Sequence, residues 1–287
     1  MSEQPFVYIT RDISPKGLDL VYKALGRVPH GKVAVKVSTG EPGNTHYLKA
    51  ALVGEFVKGI QGDIVECNTA YGGDRSVTED HYKVAEDHGF TSFAKVVILD
   101  EDGEIALPVT DGKHLKEDLV GARFKDYDFH VILSHFKGHL MGGFGGALKN
   151  MSIGYASPSG KLTIHGAGDE ELGFGGDQDE FLESMAEAAS AVIDAAGKEN
   201  FLYINIMNYL SVDCDCDGNP APPDMEDIGI LASLDPVAVD QACVDLIFSA
   251  TDGQSVVERI ESRHGQVTLR RAAEMNLGSR EYTLEEI

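Results

Sequence analysis

The chain has 287 residues, of which 43% are hydrophobic and 25% are charged, a composition typical of one large α/β domain or two smaller ones. Its 47 acidic residues outnumber its 24 lysines and arginines, and the net charge of −23 disfavours nucleic acid and anionic membranes as partners. No apolar run reaches the roughly 20 residues of a membrane span, and no secretory signal is visible at the N-terminus. We therefore expect a cytoplasmic protein with reduced thiols that binds small molecules.

Strand-like and helix-like segments alternate along the chain, which predicts an α/β fold of mostly parallel sheets flanked by helices. The predicted strands are 6–9, 32–37, 63–66, 94–99, 129–134, 161–165, 201–205 and 228–232. The predicted helices are 17–25, 46–60, 76–88, 179–196, 236–250, 255–263 and 267–275, with another beginning at Ala147. We expect two lobes, 1–125 and 126–287, with a cleft between them, and a single domain is the alternative.

Two predicted strands in the first half of the chain end in polar, glycine-bearing turns, where ligands of parallel sheets gather. Glu41 follows the second strand and can act as a base or a ligand, although turn formation alone also explains its neighbours. Asn68 and Arg75 follow the third strand, and the planar guanidinium of Arg75 suits a carboxylate. We expect these three residues to bind substrate. For Arg75 the alternative is an ion pair with Asp74 or Glu79.

The segment 135–150 sets histidines and lysines among glycines directly after the apolar strand 129–134. Glycines let the backbone approach a ligand closely, and the free N–H groups of a helix start favour an anion. Lys149 supplies a cation at this place. The residues expected to bind a cofactor are Gly142, Gly143, Gly145, Gly146 and Lys149. The alternative is that the glycines only form a tight crossover.

Three histidines are candidate catalytic groups because imidazole changes its charge near neutral pH. His135 and His139 flank Lys137, which we expect to bind substrate, and Lys149 completes the catalytic set. His165 ends the predicted strand 161–165 and precedes a glycine-bearing turn. Alone, such a histidine is more often a capping or surface residue, and its proximity to the other groups favours a functional role.

Cys214 and Cys216 lie between aspartates after the strand that begins at Phe201. Two thiolates two positions apart can bind one metal ion, and we expect His165 to join them as a ligand. The alternatives are a calcium loop, which the proline-rich continuation disfavours, and an ordinary loop with free thiols.

With these residues in view, the chain resembles, over its whole length, the family known as domain of unknown function 362, whose members in anaerobes are often called iron–sulfur centre proteins. The segments that carry the resemblance are 36–44, 134–139, 142–150, the pair Cys214 and Cys216, and 227–236. The resemblance implies a metal ion or an iron–sulfur cluster, with iron, nickel or zinc as the metal. The ferredoxin-like C-x-x-C-x-x-C insertion of many relatives is absent from this sequence.

A shorter stretch of the chain resembles lactate racemases, which use a nickel-pincer cofactor. His139, the glycines that follow it, Lys149 and His165 occur in the order of the racemase motif, in which the lysine bears the cofactor and the later histidine reaches the nickel. The segment 71–78 is similar to their substrate-side stretch, but Asp74 stands where the racemases have a histidine.

Taken together, these features predict a metal-dependent or iron–sulfur-dependent enzyme, an oxidoreductase or an isomerase, that acts on a small anionic substrate. One alternative is racemase-like or isomerase-like chemistry on a small hydroxy acid with a nickel-type cofactor. The other is a non-catalytic carrier of a metal or cofactor. A redox partner protein is expected if the reaction is an oxidation or reduction.

Overall fold

The computed structural model describes residues 4–287 and contains twelve β-strands and nine α-helices within that range. The strands are β1 (Phe6–Thr10), β2 (Val33–Lys36), β3 (Gly62–Glu66), β4 (Val96–Ile98), β5 (Glu104–Pro108), β6 (Glu117–Gly121), β7 (Phe129–His135), β8 (Lys137–His139), β9 (Gly143–Gly145), β10 (Phe201–Met207), β11 (Gly229–Ser233) and β12 (Thr283–Glu286). The helices are α1 (Pro15–Ala24), α2 (Ala50–Gly59), α3 (Thr78–Asp87), α4 (Ala147–Tyr155), α5 (Pro158–His165), α6 (Gln178–Ala196), α7 (Pro236–Ser249), α8 (Gln254–Ser262) and α9 (Gln266–Glu274). Every predicted strand except 161–165 overlaps an observed one.

Eight strands form one large sheet in the order β12-β1-β11-β10-β7-β2-β3-β4. The neighbours from β10 to β4 are all parallel, and β11 is antiparallel to both β10 and β1. Because β12 is parallel to β1, β11 is the one strand of this sheet that runs in the opposite direction. The predicted α/β fold with a mostly parallel sheet is therefore confirmed.

Helices cover both faces of this sheet. The side chains on both sides of its central strands are therefore buried, which explains why the sequences of these strands are continuously apolar. All residues of β10 are buried, as are those of β7 except its last one. Successive side chains of β7 point to opposite faces: Val131 and Leu133 pack with α1 and α2, whereas Ile132 packs with the helices that follow β7. Within residues 4–287, no helix combines the length and the apolar character needed to cross a membrane.

The predicted lobe boundary near residue 125 does not separate two sheets. β2 pairs with β7 along four residues, so strands from both sides of the boundary lie next to each other at the centre of the large sheet. Between them along the chain, β5 and β6 form a separate antiparallel pair. The division of the chain into lobes stays a prediction, with the single domain as its alternative.

The predicted strand 161–165 is wrong, because these residues form the last part of helix α5. Ser157 begins the helix: its hydroxyl accepts the N–H of Gly160, and Pro158 occupies the first turn. The β-branched residues Thr163 and Ile164 made the segment resemble a strand. His165 is consequently the C-terminal residue of a helix.

The chain between β7 and α4 also differs from the predicted strand, turn and helix. β8 and β9 pair as an antiparallel hairpin, with Lys137 opposite Gly145 and His139 opposite Gly143. At Gly143 the backbone has a φ of +76°, and an added Cβ would lie 2.9 Å from the Cα of Gly265. A residue with a side chain is therefore excluded at this turn for two reasons, strain and space.

Candidate active site

A cavity of about 370 Å³ lies beside the segments that follow β7 and β10. These two strands are parallel neighbours, so their carboxyl ends meet at one edge of the sheet. The polar residues that line it are Tyr71, His139, Lys149, Lys161, His165, Asp213, Cys214, Cys216 and Asp217, and its apolar residues are Leu140, Met141, Ile153 and Phe174. The structure thus brings together His139, Lys149, His165 and the cysteine pair, as expected from the sequence.

Cys214 and Cys216 are joined by a disulfide bond, which corrects the expectation of reduced thiols at this place. His139 Nε2 lies 3.7 Å from Cys216 Sγ. The three side chains form the one group within residues 4–287 whose His, Cys or carboxylate donor atoms lie close enough to share a metal ion, within 4.8 Å of one another. His165 is not part of this group. Thiolates become available as ligands only after the disulfide is reduced.

The other two cysteines are free and buried away from this group. Cys67 donates from its sulfur to the main-chain oxygen of Tyr155, and Cys243 lies in the core on helix α7. Burial raises the pKa of Cys67 to about 12, so this group stays a thiol. Neither residue can join the cavity cysteines as a ligand in this fold.

The hydrogen bonds of His139 fix its tautomer. Nδ1 accepts the main-chain N–H groups of Met141 and Gly142, at 3.2 and 2.8 Å. Because Nδ1 is an acceptor, the neutral ring carries its proton on Nε2, which faces Cys216. Burial, reinforced by the positive charge of Lys149, holds the pKa of His139 well below its ordinary value. His139 therefore presents a neutral N–H donor to the cysteine pair.

His165 has the opposite tautomer. Its Nδ1 donates to the main-chain oxygen of Lys161 at 2.7 Å, so the lone pair of the neutral ring is on Nε2. The ring stacks on Phe181 with a centroid distance of 4.4 Å and meets Phe174 edge to face. Burial lowers the pKa of His165 to about 4, although the bond to Lys161 opposes this shift. A histidine that donates Nδ1–H to a carbonyl is suited to accept a proton, or to bind a metal, through Nε2.

Lys149 reaches the cavity from helix α4. Within residues 4–287 its ammonium has no hydrogen-bond or ion-pair partner. Burial lowers the pKa of Lys149 to about 8, and the nearby cations Lys36, Lys161 and Arg75 contribute to this shift. The side chain of Lys149 is partly exposed to the cavity, and a cation without a partner at such a place can bind an anion.

His135 and Lys137, predicted to be catalytic and substrate-binding, instead hold Asp215. The ring of His135 contacts the Asp215 carboxylate through Nδ1 at 2.9 Å and the main-chain oxygen of Asn208 through Nε2 at 2.6 Å. Because both partners are acceptors, both ring nitrogens donate and the imidazole is positively charged. Lys137 Nζ lies 3.6 Å from the same carboxylate and is fully buried. His135 also borders a smaller cavity of about 80 Å³.

Asp215 lies between the two cysteines in sequence, so this contact fixes the loop that carries them. Asp215 is buried, whereas Cys214 and Cys216 are partly exposed to the cavity. Asp215 also accepts the N–H of Leu48 with its carboxylate, and its main-chain oxygen accepts the N–H of Glu41. The aspartate therefore anchors the loop from the protein side.

The glycines predicted to bind a cofactor have different places. Gly142 contacts His139 and donates to it, whereas Gly145 and Gly146 border the smaller cavity beside Lys149. Two of the N–H groups at the start of α4 are not available to a ligand. They belong to Ala147 and Leu148 and donate to the buried carboxylate of Asp240, at 2.7 and 2.9 Å.

Arg75, Glu41 and Asn68, predicted to bind substrate, are engaged inside the protein. Arg75 is paired with Glu41 at 2.8 Å and with Glu66 at 3.3 Å, which agrees with the ion-pair alternative but with other partners than Asp74 and Glu79. The side chain of Asn68 contacts His81 Nδ1 and donates to Thr78.

His81 and Glu66 were missed by the sequence reasoning. His81 Nε2 lies 2.6 Å from Glu66. Burial alone would raise the pKa of Glu66, but Arg75 and His81 lower it strongly, so Glu66 is ionised. Glu66 ends a strand that the sequence predicts correctly, and its position next to Cys67 and Asn68 was the available signal.

The family described as domain of unknown function (DUF362) matches residues 33–245. The chain belongs to this family. No curated protein sequence matches the chain significantly.

Two solved structures are similar to the chain in part. One is a lactate racemase apoprotein from Thermoanaerobacterium thermosaccharolyticum, with 16% identity and a TM-score of 0.40 over 69% of this chain and 50% of that one. The other is a protein from Thermotoga maritima, with 12% identity and a TM-score of 0.40 over 91% of this chain and 58% of that one. The chain spans half the length of the first of these proteins and 58% of the second.

Proposed function

We propose that this member of the DUF362 family is a metal-dependent enzyme that acts on a small anionic substrate in the 370 Å³ cavity. One observation carries the proposal: the unpartnered ammonium of Lys149 shares a cavity with the donor group of His139, Cys214 and Cys216. An anion site next to a soft donor set is the arrangement that a metal-assisted reaction of a small acid needs.

The donor set suits a single metal ion better than an iron–sulfur cluster. Such clusters are usually held by four cysteines, and here Cys67 and Cys243 are buried elsewhere. Two thiolates and an imidazole are ligands that zinc, nickel and ferrous iron accept. The thiolates form when the disulfide takes up two electrons and two protons from a thiol reductant and the two thiols then lose their protons.

In this proposal Cys214 and Cys216 hold the metal, with His139 beside them. His139 joins them as a ligand only if it gives up the proton on Nε2, since Nδ1 is occupied by two N–H donors. His165 Nε2 offers a lone pair without that requirement. When bound, the metal supplies Lewis-acid or redox chemistry. Lys149 binds the substrate anion.

A second candidate function, an isomerase of small 2-hydroxy acids, is favoured by the two histidine tautomers. His139 presents an N–H donor and His165 a lone pair to the same cavity. His165 can therefore accept the proton of the substrate carbon while the N–H of His139 donates a hydrogen bond to a substrate oxygen, an arrangement that suits proton abstraction next to a carboxylate. Because the pKa of His165 is low, its ring accepts a proton from the substrate only when a second group activates that substrate. Lys149 or a metal can provide this activation.

The test begins with protein reduced under anaerobic conditions and loaded separately with ferrous iron, nickel and zinc. We expect about one tightly held ion per chain, and a C214S/C216S double variant should lose it. Cys243→Ala is the matched control, because it removes a thiol outside the cavity. Metal retained by the double variant would refute the assignment of the cysteines as ligands.

Turnover is tested with the metal-loaded protein and a panel of small 2-hydroxy acids, with deuterium incorporation at the substrate carbon as the readout. Lys149→Met should abolish turnover and leave metal content unchanged. A metal-loaded protein without turnover on any small acid would favour the carrier alternative and contradict the enzyme.

A further inference from the structure

Within residues 4–287, three lysines around the cavity have no carboxylate partner; Lys36 and Lys161 are buried, and Lys149 is partly exposed to the cavity. Lys149 and Lys161 line the cavity, and Lys36 on β2 is close enough to shift the pKa of Lys149. In the described part of the chain, Lys161 donates only to the main-chain oxygen of Ala156, and Lys36 only to the oxygens of Val37 and Asn150. Neutral oxygens solvate an ammonium group but leave its charge uncompensated, which is costly in a buried place.

The acids of the cysteine loop do not provide the missing charge. Asp213 lies 3.5 Å from Arg259 and accepts a main-chain N–H, so its carboxylate is already engaged. Asp215 is bound to the charged ring of His135 on the protein side of the loop. Asp217 is exposed to solvent at the cavity rim, where its charge is screened.

The acids on the other side of the cavity are engaged as well: Asp100, which is close enough to Lys161 to oppose the lowering of its pKa, accepts the main-chain N–H of Asn68. Glu41 and Glu66 are paired with Arg75. Asp118 is the titratable acid that lies near Lys161 without any hydrogen-bond partner in the described chain, and burial raises its pKa to about 8. At neutral pH Asp118 is therefore mostly uncharged and does not balance the lysine. The cavity wall keeps an excess of positive charge in a chain whose net charge is −23.

We propose that the natural ligand of this cavity is a dianion with an apolar body, whose two negative charges meet Lys149 and Lys161. The inference rests on the proposed function, because it specifies the charge of the anionic substrate. The remaining wall, which includes Leu140, Ile153 and Phe174, is apolar and suits the body of the ligand. A short dicarboxylate and a phosphate monoester share this chemistry.

Calorimetric titration of the full chain at neutral pH with butyrate, succinate and propyl phosphate separates these cases. Butyrate and succinate have the same carbon number and differ by one carboxylate. One additional charge-assisted contact should strengthen binding about tenfold or more. We expect succinate or propyl phosphate to bind at least that much more tightly than butyrate. If succinate binds more tightly than propyl phosphate, the second charge belongs to a carboxylate, and if propyl phosphate binds more tightly, it belongs to a phosphate.

Lys149→Met and Lys161→Met should each reduce the preference for the dianion to less than about threefold, since one remaining cation binds both classes similarly. Lys83→Met, at an exposed position of α3, is the matched control and should keep the preference. Thermal melting checks that each variant is folded. If Lys161→Met does not fold, the dianion preference of Lys149→Met alone tests the proposal.

Equal affinities of the unmodified protein for butyrate and succinate would overturn the dianion and leave an anionic substrate standing. Binding of none of the three probes would contradict the anionic substrate of the proposed function as well. A dianion preference that survives in both lysine variants would overturn the assignment of the two lysines.

Discussion

Asp215→Asn tests whether the cysteine loop is anchored from the protein side. The Asp215 carboxylate contacts His135 at 2.9 Å, lies 3.6 Å from Lys137 and accepts the N–H of Leu48. Burial by itself raises the pKa of Asp215, but the positive charges of His135 and Lys137 lower it overall. The carboxylate is therefore ionised at neutral pH, and the asparagine keeps its shape while removing its charge.

The variant leaves two buried cations without their counter-charge. Breaking a buried ion pair from one side typically costs about 3–5 kcal/mol. We expect urea unfolding at pH 7 to show a loss of this size in the free energy of unfolding. Asp217→Asn is the matched control in the same loop: its side chain is exposed, so the change should stay within about 0.5 kcal/mol.

The effect also has a defined dependence on pH. Because the pKa of Asp215 is lower in the folded protein, its stabilisation is fully present above the ordinary carboxyl pKa of about 4 and is lost as the pH falls through the folded value. The difference between the two proteins should therefore shrink in acid below about pH 4. An Asp215→Asn variant as stable at pH 7 as Asp217→Asn would refute the anchor, as would a difference that stays constant in acid.

Asp118, the start of α4 and the four cysteines can be tested in the same way. Asp118→Asn should stabilise the protein at pH 7, because burial raises the pKa of Asp118 from 3.8 to about 8. Denaturation at several pH values should show a gain in the free energy of unfolding that grows by about 1.4 kcal/mol per pH unit between about pH 4 and pH 8. A gain independent of pH would contradict this. Gly146→Ala should lower the free energy of unfolding by about 1–2 kcal/mol, since the added Cβ would lie 2.3 Å from Asp240 Oδ1 and displace the carboxylate that caps α4. Gly145→Ala should cost less, because its added Cβ would have its nearest contact at 3.5 Å, with the side chain of Lys149. Thiol titration of the native protein should detect the two cavity cysteines only after reduction, and the two core cysteines only after unfolding.

The fold could be predicted from the sequence where local pattern and tertiary environment agree. The apolar runs of β7 and β10 indicate strands buried on both faces, and the structure places them at the centre of the sheet. Asp235 and Pro236 mark the start of α7, and the aspartate side chain accepts the N–H groups of Val237 and Ala238 as a helix cap should. The strand predicted at 161–165 failed because two β-branched residues outweighed the capping signal of Ser157 and Pro158.

The candidate site could be predicted only in part, because residue type does not show which partner a side chain finds. His139 and Lys149 line one cavity because the segments after neighbouring parallel strands gather at one edge of the sheet, and this rule is accessible from sequence. His165 reaches the same cavity from the end of helix α5, which the sequence did not predict. The partner of His135 is 80 positions away in the chain. No local pattern distinguishes a histidine that faces a ligand from one that meets a distant aspartate.

The sequence 213–217 shows why one motif can serve both the fold and the site. Aspartates and cysteines alternate here, and the structure turns Asp215 toward His135 and the two cysteines toward the cavity. The ion pair is therefore expected to set the position of the sulfurs without touching a ligand. Loss of His135 should then weaken metal binding through the loop, whereas loss of Lys149 should affect the substrate anion and leave the metal in place. The two variants would therefore identify His135 as a positioning residue and Lys149 as a binding residue, although the sequence alone presents both as candidate catalytic groups.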